Sequence, residues 1–189
     1  EEGIAFLKGL LDGSVALDGL AVDADLRWAL VIALARVGAA GEPEIDVELD
    51  RDDTISGRQQ AAAARAAQPY AAAKEQAWND AAVRDDVPNE TQRMVAASFQ
   101  RTGQDEVLLP YADRYLELAG GVWETKGTQL ATTILTFLFP RGIPTREVAD
   151  KVDAWPASTD ANPAARRLVS EGRADLERAL RGQERDARA

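Results

Sequence analysis

Histidine and cysteine are both absent from this chain of 189 residues. Without histidine the chain lacks the commonest general base, and without cysteine it lacks every thiol nucleophile. The same absences remove the usual nitrogen and sulfur ligands of zinc, iron and copper. We therefore predict no catalytic residue, no metal site and no bound cofactor in this chain. The lack of cysteine also excludes a disulfide scaffold and suits a reducing compartment, so we expect a cytoplasmic location.

Clusters of positive charge and long apolar runs are missing as well. The formal net charge is −10, with 22 Lys and Arg against 32 Asp and Glu, and the basic residues mostly stand beside acids. Phosphate binding needs clustered Lys and Arg, so we predict no nucleic-acid partner. The longest apolar segment, Trp28 to Ala35, is far shorter than the roughly 20 residues that cross a membrane, so we predict no membrane partner.

Apolar residues at helical spacing dominate what remains, and no segment has the alternation of a confident strand. The residues 26–37 are apolar around most of a helix circumference, which predicts a helix packed between neighbours. Helix starts are marked by capping residues: Asp23, Thr54, Asn89 or Thr91, Thr145 and Asn162. The pattern also predicts one helix from about Asp105 to a stop at Gly120–Gly121.

Many short helices joined by short loops favour a stack of helix pairs over a four-helix bundle. We predict an all-α fold of about ten helices, arranged as an α-solenoid of HEAT- or armadillo-like pairs. Residues 1–189 are interpreted as a single helical domain, with 183–189 forming a frayed, charged tail.

Neighbouring carboxylates are the main candidates for acid–base chemistry in the absence of histidine. We interpret them as solvated groups at helix ends or on polar faces: Asp52–Asp53, Asp85–Asp86, Glu44 with Glu48, and Asp46 with Asp50. A calcium loop, a phosphate-binding loop and a serine nucleophile elbow all lack their required neighbours.

Each of the four tryptophans (Trp28, Trp78, Trp123 and Trp155) is predicted to lie in the core, because each stands among apolar residues at helical spacing. Trp123 has the weakest case for burial of the four, because it follows two glycines and precedes a polar segment.

Several segments, taken in order, resemble the C-terminal helical domain of actinobacterial aminopeptidase N, in the M1 family of zinc metallopeptidases. The resemblance covers essentially the whole chain, and its specificity lies in the ordered co-occurrence of structural segments. Those segments are 23–28, Asp53–Thr54 with Gly57, Lys74 with Ala77–Trp78, Leu109 with Tyr111 and Arg114–Tyr115, 121–124, and 166–171.

The resemblance implies a helical superhelix of HEAT-like pairs that closes over an active site held elsewhere in the polypeptide. It also implies that the zinc-binding His-Glu-x-x-His helix, the glutamate ligand and the Gly-x-Met-Glu-Asn loop lie upstream. The implied partners are the catalytic domain of the same polypeptide and peptide substrates, with zinc as the cofactor of the parent enzyme. No substrate-binding residue can be transferred, although Trp123 or Arg141 could face the internal chamber.

Two main hypotheses follow for function. The first is a scaffold and gating domain of an M1 aminopeptidase, inactive alone, and it is favoured by a start at Glu1 that lies inside a helical pattern. The alternative is a stand-alone α-solenoid adaptor that binds a protein or peptide. A His-free enzyme that uses carboxylates alone is the least favoured. The first hypothesis also predicts that the first helix exposes an apolar face.

Overall fold

The structure is a computed structural model that describes residues 1–157 and 160–188. All regular structure in those residues is helical, which confirms the all-α prediction. The α-helices, in chain order, are α1 Glu2–Asp12, α2 Ala24–Arg36, α3 Glu42–Arg51, α4 Ile55–Ala67, α5 Ala71–Trp78, α6 Asn89–Phe99, α7 Asp105–Leu108, α8 Pro110–Ala119, α9 Val122–Lys126, α10 Thr128–Phe137, α11 Arg146–Ala154 and α12 Pro163–Asp186.

Contacts between residues divide the chain into two units, Glu1–Phe99 and Gln100–Ala189, although the sequence was interpreted as one domain. In the first unit α4 packs against α2, α3, α5 and α6, so α4 meets both its neighbours in sequence and the helices one further along in each direction. This is the packing of stacked helix pairs within that unit. In the second unit α12 packs along α10 and α11, and α8 contacts α7, α9 and α11.

The first unit is built around small side chains. Alanines of α4 are buried, and α4 lies against α2, where Trp28 is 1% exposed. Small side chains let helix backbones approach closely, and this is how an alanine-rich segment of low hydrophobicity becomes a central helix. The burial of Trp28, Leu30, Val31 and Leu34 confirms that α2 is enclosed on several sides.

The second unit has larger side chains in its core. Tyr115 and Phe139 meet edge to face with ring centroids 5.5 Å apart, and both are fully buried. The backbone of Gly172 in α12 packs directly against the Phe139 ring. A Cβ atom at this position would lie 2.5 Å from the nearest ring atom. The close approach of α12 to Phe139, which follows the end of α10, therefore depends on the absence of a side chain at this position.

Four of the predicted capping residues cap helices, whereas Asn89 and Thr91 both lie within α6 rather than before it. Asp23 and Thr54 accept hydrogen bonds from the backbone N–H groups of Leu26 and Gly57, at 2.9 and 3.0 Å. Thr145 and Asn162 do the same for α11 and α12. Capping was predictable because it depends only on residues close in sequence.

The predicted helix from Asp105 to Ala119 is interrupted, and the reason is Pro110. Proline has no N–H to donate and its ring crowds the preceding turn, so α7 ends at Leu108 and α8 begins at Pro110. A further difference lies at Asn79–Val83, which is a π-helical turn rather than the end of an α-helix. There Gln92 donates a buried hydrogen bond of 2.6 Å to the carbonyl oxygen of Ala81.

The ends of the chain also differ in part from expectation. Helix α12 continues to Asp186, so residues 183–186 are helical with exposed side chains, and the fraying of residues 183–189 stays a prediction. The last residue of that predicted tail lies outside the described residues. In α1, Ile4, Leu7 and Leu11 pack against the core of the first unit, and Phe6 is the large side chain that remains exposed, at 43%. The predicted apolar face of α1 is therefore largely covered.

Candidate functional site

Some of the segments that resemble a known family place polar side chains in the interior. The guanidinium of Arg27 donates two hydrogen bonds to the Glu48 carboxylate, at 2.6 and 2.7 Å, and a third to the carbonyl oxygen of Leu11 at 2.9 Å. Glu48 is only 3% exposed, which corrects the prediction that it is a solvated surface acid. This bidentate pair connects α1, α2 and α3, and removal of Arg27 would leave the buried Glu48 carboxylate without its compensating charge.

A second network connects α2 to the tight turn between α3 and α4. The Trp28 indole N–H donates to Asp52 at 2.8 Å, and the Thr54 hydroxyl donates to the same carboxylate at 2.7 Å. These two hydrogen bonds, from Thr54 first and Trp28 second, lower the pKa of Asp52. A Cβ at Gly57 would lie 1.9 Å from the Asp52 carbonyl oxygen, so the turn requires glycine there.

Lys74 is fully buried in the first unit. Its ammonium donates to the carbonyl oxygens of Ala66 and Phe99, at 2.8 and 2.9 Å, and lies 5.4 Å from the centre of the Phe99 ring. Those carbonyls belong to the last turns of α4 and α6, which carry the negative end of each helix dipole. Lys74 therefore joins two helix ends, and its role is structural.

The resembling segments of the second unit also have structural roles. The Tyr115 hydroxyl donates to the Leu135 carbonyl oxygen at 2.9 Å, and burial raises the pKa of Tyr115. Arg166 donates to the carbonyl oxygens of Ala161 and Pro156, at 3.1 and 2.8 Å, and so holds the start of α12.

A groove lies between α8 and α11 of the second unit, with a volume of about 530 Å³. Leu116, Ala154 and Trp155 provide its apolar lining, and Asp113, Glu117 and Lys151 provide its charges. The Trp155 indole N–H donates to the Leu116 carbonyl oxygen at 2.8 Å.

The charges of the groove are arranged around Lys151. Its ammonium lies 3.0 Å from Asp113 of α8 and 3.3 Å from Glu147 of α11. The hydrogen bond to Asp113 is the main cause that raises the pKa of Lys151, so the group carries its full charge at neutral pH. The Glu117 carboxylate of the same groove has no hydrogen bond or ion pair within the described part of the chain, and the Glu117 backbone carbonyl accepts from the Gly120 N–H at 3.2 Å.

The sequence did not identify this groove. Asp113, Leu116 and Glu117 are spaced as i, i+3 and i+4 on one helix, and Lys151 precedes Trp155 by four residues, so each set shares a helix face. That spacing is visible in the sequence, but nothing local shows that the two faces lie opposite each other.

The two residues named as possible chamber contacts lie apart from this groove lining. Arg141 is exposed and donates to the Thr136 carbonyl oxygen at 2.7 Å, at the end of α10. Trp123 is partly exposed in the short helix α9, whereas Trp28, Trp78 and Trp155 are at most 5% exposed. Burial confirms the core prediction for those three.

No group of three or more acidic, histidine or cysteine side chains suited to a metal ion occurs among residues 1–157 and 160–188. Within the same residues no helix combines the length and apolar character needed to cross a membrane.

Comparison with known proteins identifies the relatives of this chain. The family model described as the ERAP1-like C-terminal domain matches residues 1–178. The aminopeptidase N of Streptomyces lividans is 45% identical over 188 residues, which cover 100% of this chain and 22% of that protein. The chain thus spans about a fifth of the length of that relative.

Proposed function

This chain belongs to the family of ERAP1-like C-terminal domains, and from that premise we propose that it is the non-catalytic C-terminal domain of an M1-type zinc aminopeptidase. The parent enzyme would remove N-terminal residues from peptides in the cytoplasm. The observation that carries this proposal is the 45% identity to a Streptomyces aminopeptidase N of which the chain covers 22%.

The described residues do not fit a zinc site, since they contain no suitable cluster of ligands. We therefore assign the ion and the hydrolytic chemistry to the catalytic domain of the same polypeptide. The described residues of this domain supply rigid helical surface instead. The hydrogen bonds of buried Lys74 and of the Arg27–Glu48 pair fix the positions of the helices they join. A wall that excludes solvent and large substrates requires helices fixed in this way.

The proposed role of the domain is to cover the active site and to limit access to peptides. A wall of packed helices discriminates by size, because an unfolded peptide end can enter a chamber that a folded protein cannot. Peptide substrates and the catalytic domain are accordingly the proposed partners.

The test compares the full parent polypeptide with a version that lacks residues 1–189. Three substrates are needed: an aminoacyl anilide, a decapeptide, and a folded protein with a short unstructured N-terminus. The zinc content of each preparation identifies molecules whose catalytic domain is intact. We expect the truncated, zinc-loaded enzyme to cleave the folded protein at least tenfold faster relative to the anilide. Unchanged selectivity in zinc-loaded molecules would contradict gating.

A further inference from the structure

The groove between α8 and α11 is preformed. The Trp155–Leu116 hydrogen bond of 2.8 Å and the Lys151–Asp113 ion pair of 3.0 Å both connect the two helices that form its walls. Its volume of about 530 Å³ lies within the range of peptide and small-molecule sites. A ligand would therefore not have to order these walls on binding, which lowers the entropy cost of association.

The charge of the groove is unbalanced. Two carboxylates, those of Asp113 and Glu117, line the groove with one ammonium, that of Lys151, which also contacts Glu147 of α11. Asp113 and Glu147 both contact Lys151, while Glu117 contacts no cation in the part of the chain that the structure describes. An approaching anion would meet Glu117 and an ammonium already shared by two acids, so the lining favours a cation.

The apolar lining indicates what kind of cation fits. Leu116, Ala154 and the edge of Trp155 form a surface beside the carboxylates. A compact inorganic ion would gain nothing from that surface. Lysine and arginine side chains carry an apolar stem behind a charged head group, so they match both parts of the lining.

We propose that this groove binds a lysine or arginine side chain of an extended peptide, with the stem against Leu116 and Trp155 and the head group at Glu117. That the peptide is a substrate of the parent enzyme rests on the proposed function; the binding itself does not. The groove would then favour peptides with a basic residue among apolar ones.

The binding test uses this chain and fluorescein-labelled heptapeptides with one central arginine between leucines. The matched control peptide carries citrulline, which has nearly the same shape as arginine and no charge. We expect the arginine peptide to bind at least threefold more tightly at 50 mM salt, and the advantage to shrink at 500 mM salt. Amide shifts in a heteronuclear NMR titration should include Gly120 and the Trp155 indole N–H, which lie at the groove.

Two substitutions locate the effect. Glu117→Gln removes the carboxylate without breaking a contact, and we expect a loss of about threefold to fivefold in affinity for the arginine peptide alone, as an exposed ion pair contributes. Glu106→Gln in α7 is the matched control, since Glu106 is also exposed but does not line the groove. It should leave binding unchanged.

The proposal is overturned if arginine and citrulline peptides bind equally, if neither binds, or if Glu106→Gln weakens binding as much as Glu117→Gln. The last result would mean general attraction to an acidic surface. None of these measurements depends on aminopeptidase activity, so their failure is separable from a failure of the proposed gating role.

Discussion

The two contact units of this chain fill their cores with side chains of different size. Alanines make up more than half of the buried apolar residues of the first unit but fewer than a third of those in the described part of the second. Large buried side chains such as Phe139, Leu135 and Tyr115 interlock by shape. Alanines offer little shape to interlock, so something else must fix helix positions in the first unit.

Buried polar side chains provide that constraint. Of the buried polar residues in the described chain, Glu48, Gln68, Lys74, Gln92 and Ser98 lie in the first unit, and Gln104 lies in the second. Exposed ion pairs do not distinguish the units, since they occur along α11 and α12 in the second and between Arg65 and Glu42 in the first. We infer that the alanine-rich core of the first unit obtains its structural specificity from hydrogen bonds, whereas the core of large side chains in the second unit obtains it from packing.

The largest effect should follow from Gly57→Ala in the first unit. The new Cβ would lie 1.9 Å from a backbone oxygen that cannot move without reshaping the turn between α3 and α4. We expect the free energy of unfolding to fall by about 3 kcal/mol or more, measured by urea denaturation. Gly182→Ala is the control, because an exposed helical glycine with open space around it should gain up to about 1 kcal/mol. Equal effects at both positions would contradict the close approach.

Replacing one lysine in each unit tests whether a buried lysine of the first unit contributes more to stability than an exposed one of the second. Lys74→Met leaves the carbonyls of Ala66 and Phe99 without their donor in the interior, and we expect a loss of about 2–3 kcal/mol. Lys151→Met breaks a largely solvated ion pair and should cost less than about 1 kcal/mol. Thermal unfolding of both variants checks this, and a larger effect at Lys151 would reverse the comparison.

Gly172→Ala tests the packing of the second unit. Its Cβ would come within 2.5 Å of the Phe139 ring, which can shift only by disturbing neighbouring side chains. We expect a net loss of about 1–2 kcal/mol, smaller than at Gly57 because a ring yields more readily than a backbone carbonyl. The double variant with Phe139→Leu should recover part of the loss, and no recovery would argue against this contact.

The smallest effect concerns the ion pairs of α12. Arg173 contacts Asp153 and Glu177 at 2.7 and 2.8 Å, and these hydrogen bonds lower the pKa of both carboxyl groups. A lowered pKa in the folded state means that the contribution to stability is complete above the unfolded-state pKa values of about 4 and is lost as pH falls through the lower pKa values of the folded state. Arg173→Gln should therefore reduce the melting temperature slightly at pH 7 and by less at pH 3. The same deficit at both values would contradict an electrostatic origin.

Local features of the sequence proved the most predictable. Caps at Asp23, Thr54, Thr145 and Asn162 were correct because a cap involves residues two or three apart. The break before Pro110 was missed even though its cause is local, since the apolar spacing around it continued without interruption. Glu48 was misplaced for a different reason: its burial depends on Arg27, which is 21 residues away.

The sequence by itself determined the helical class, the helix ends set by caps, and the lack of histidine and cysteine that removes the usual metal chemistry. Tertiary structure alone decided which polar groups are buried and which helix faces meet. Asp113, Glu117 and Lys151 form one groove only because α8 packs on α11, and Lys74 is a buried tie only because α4 and α6 end beside it. The physical reason is the sequence separation of the interacting residues. Capping involves residues within one helical turn, whereas burial and charge pairing depend on residues that lie tens of positions apart in the sequence.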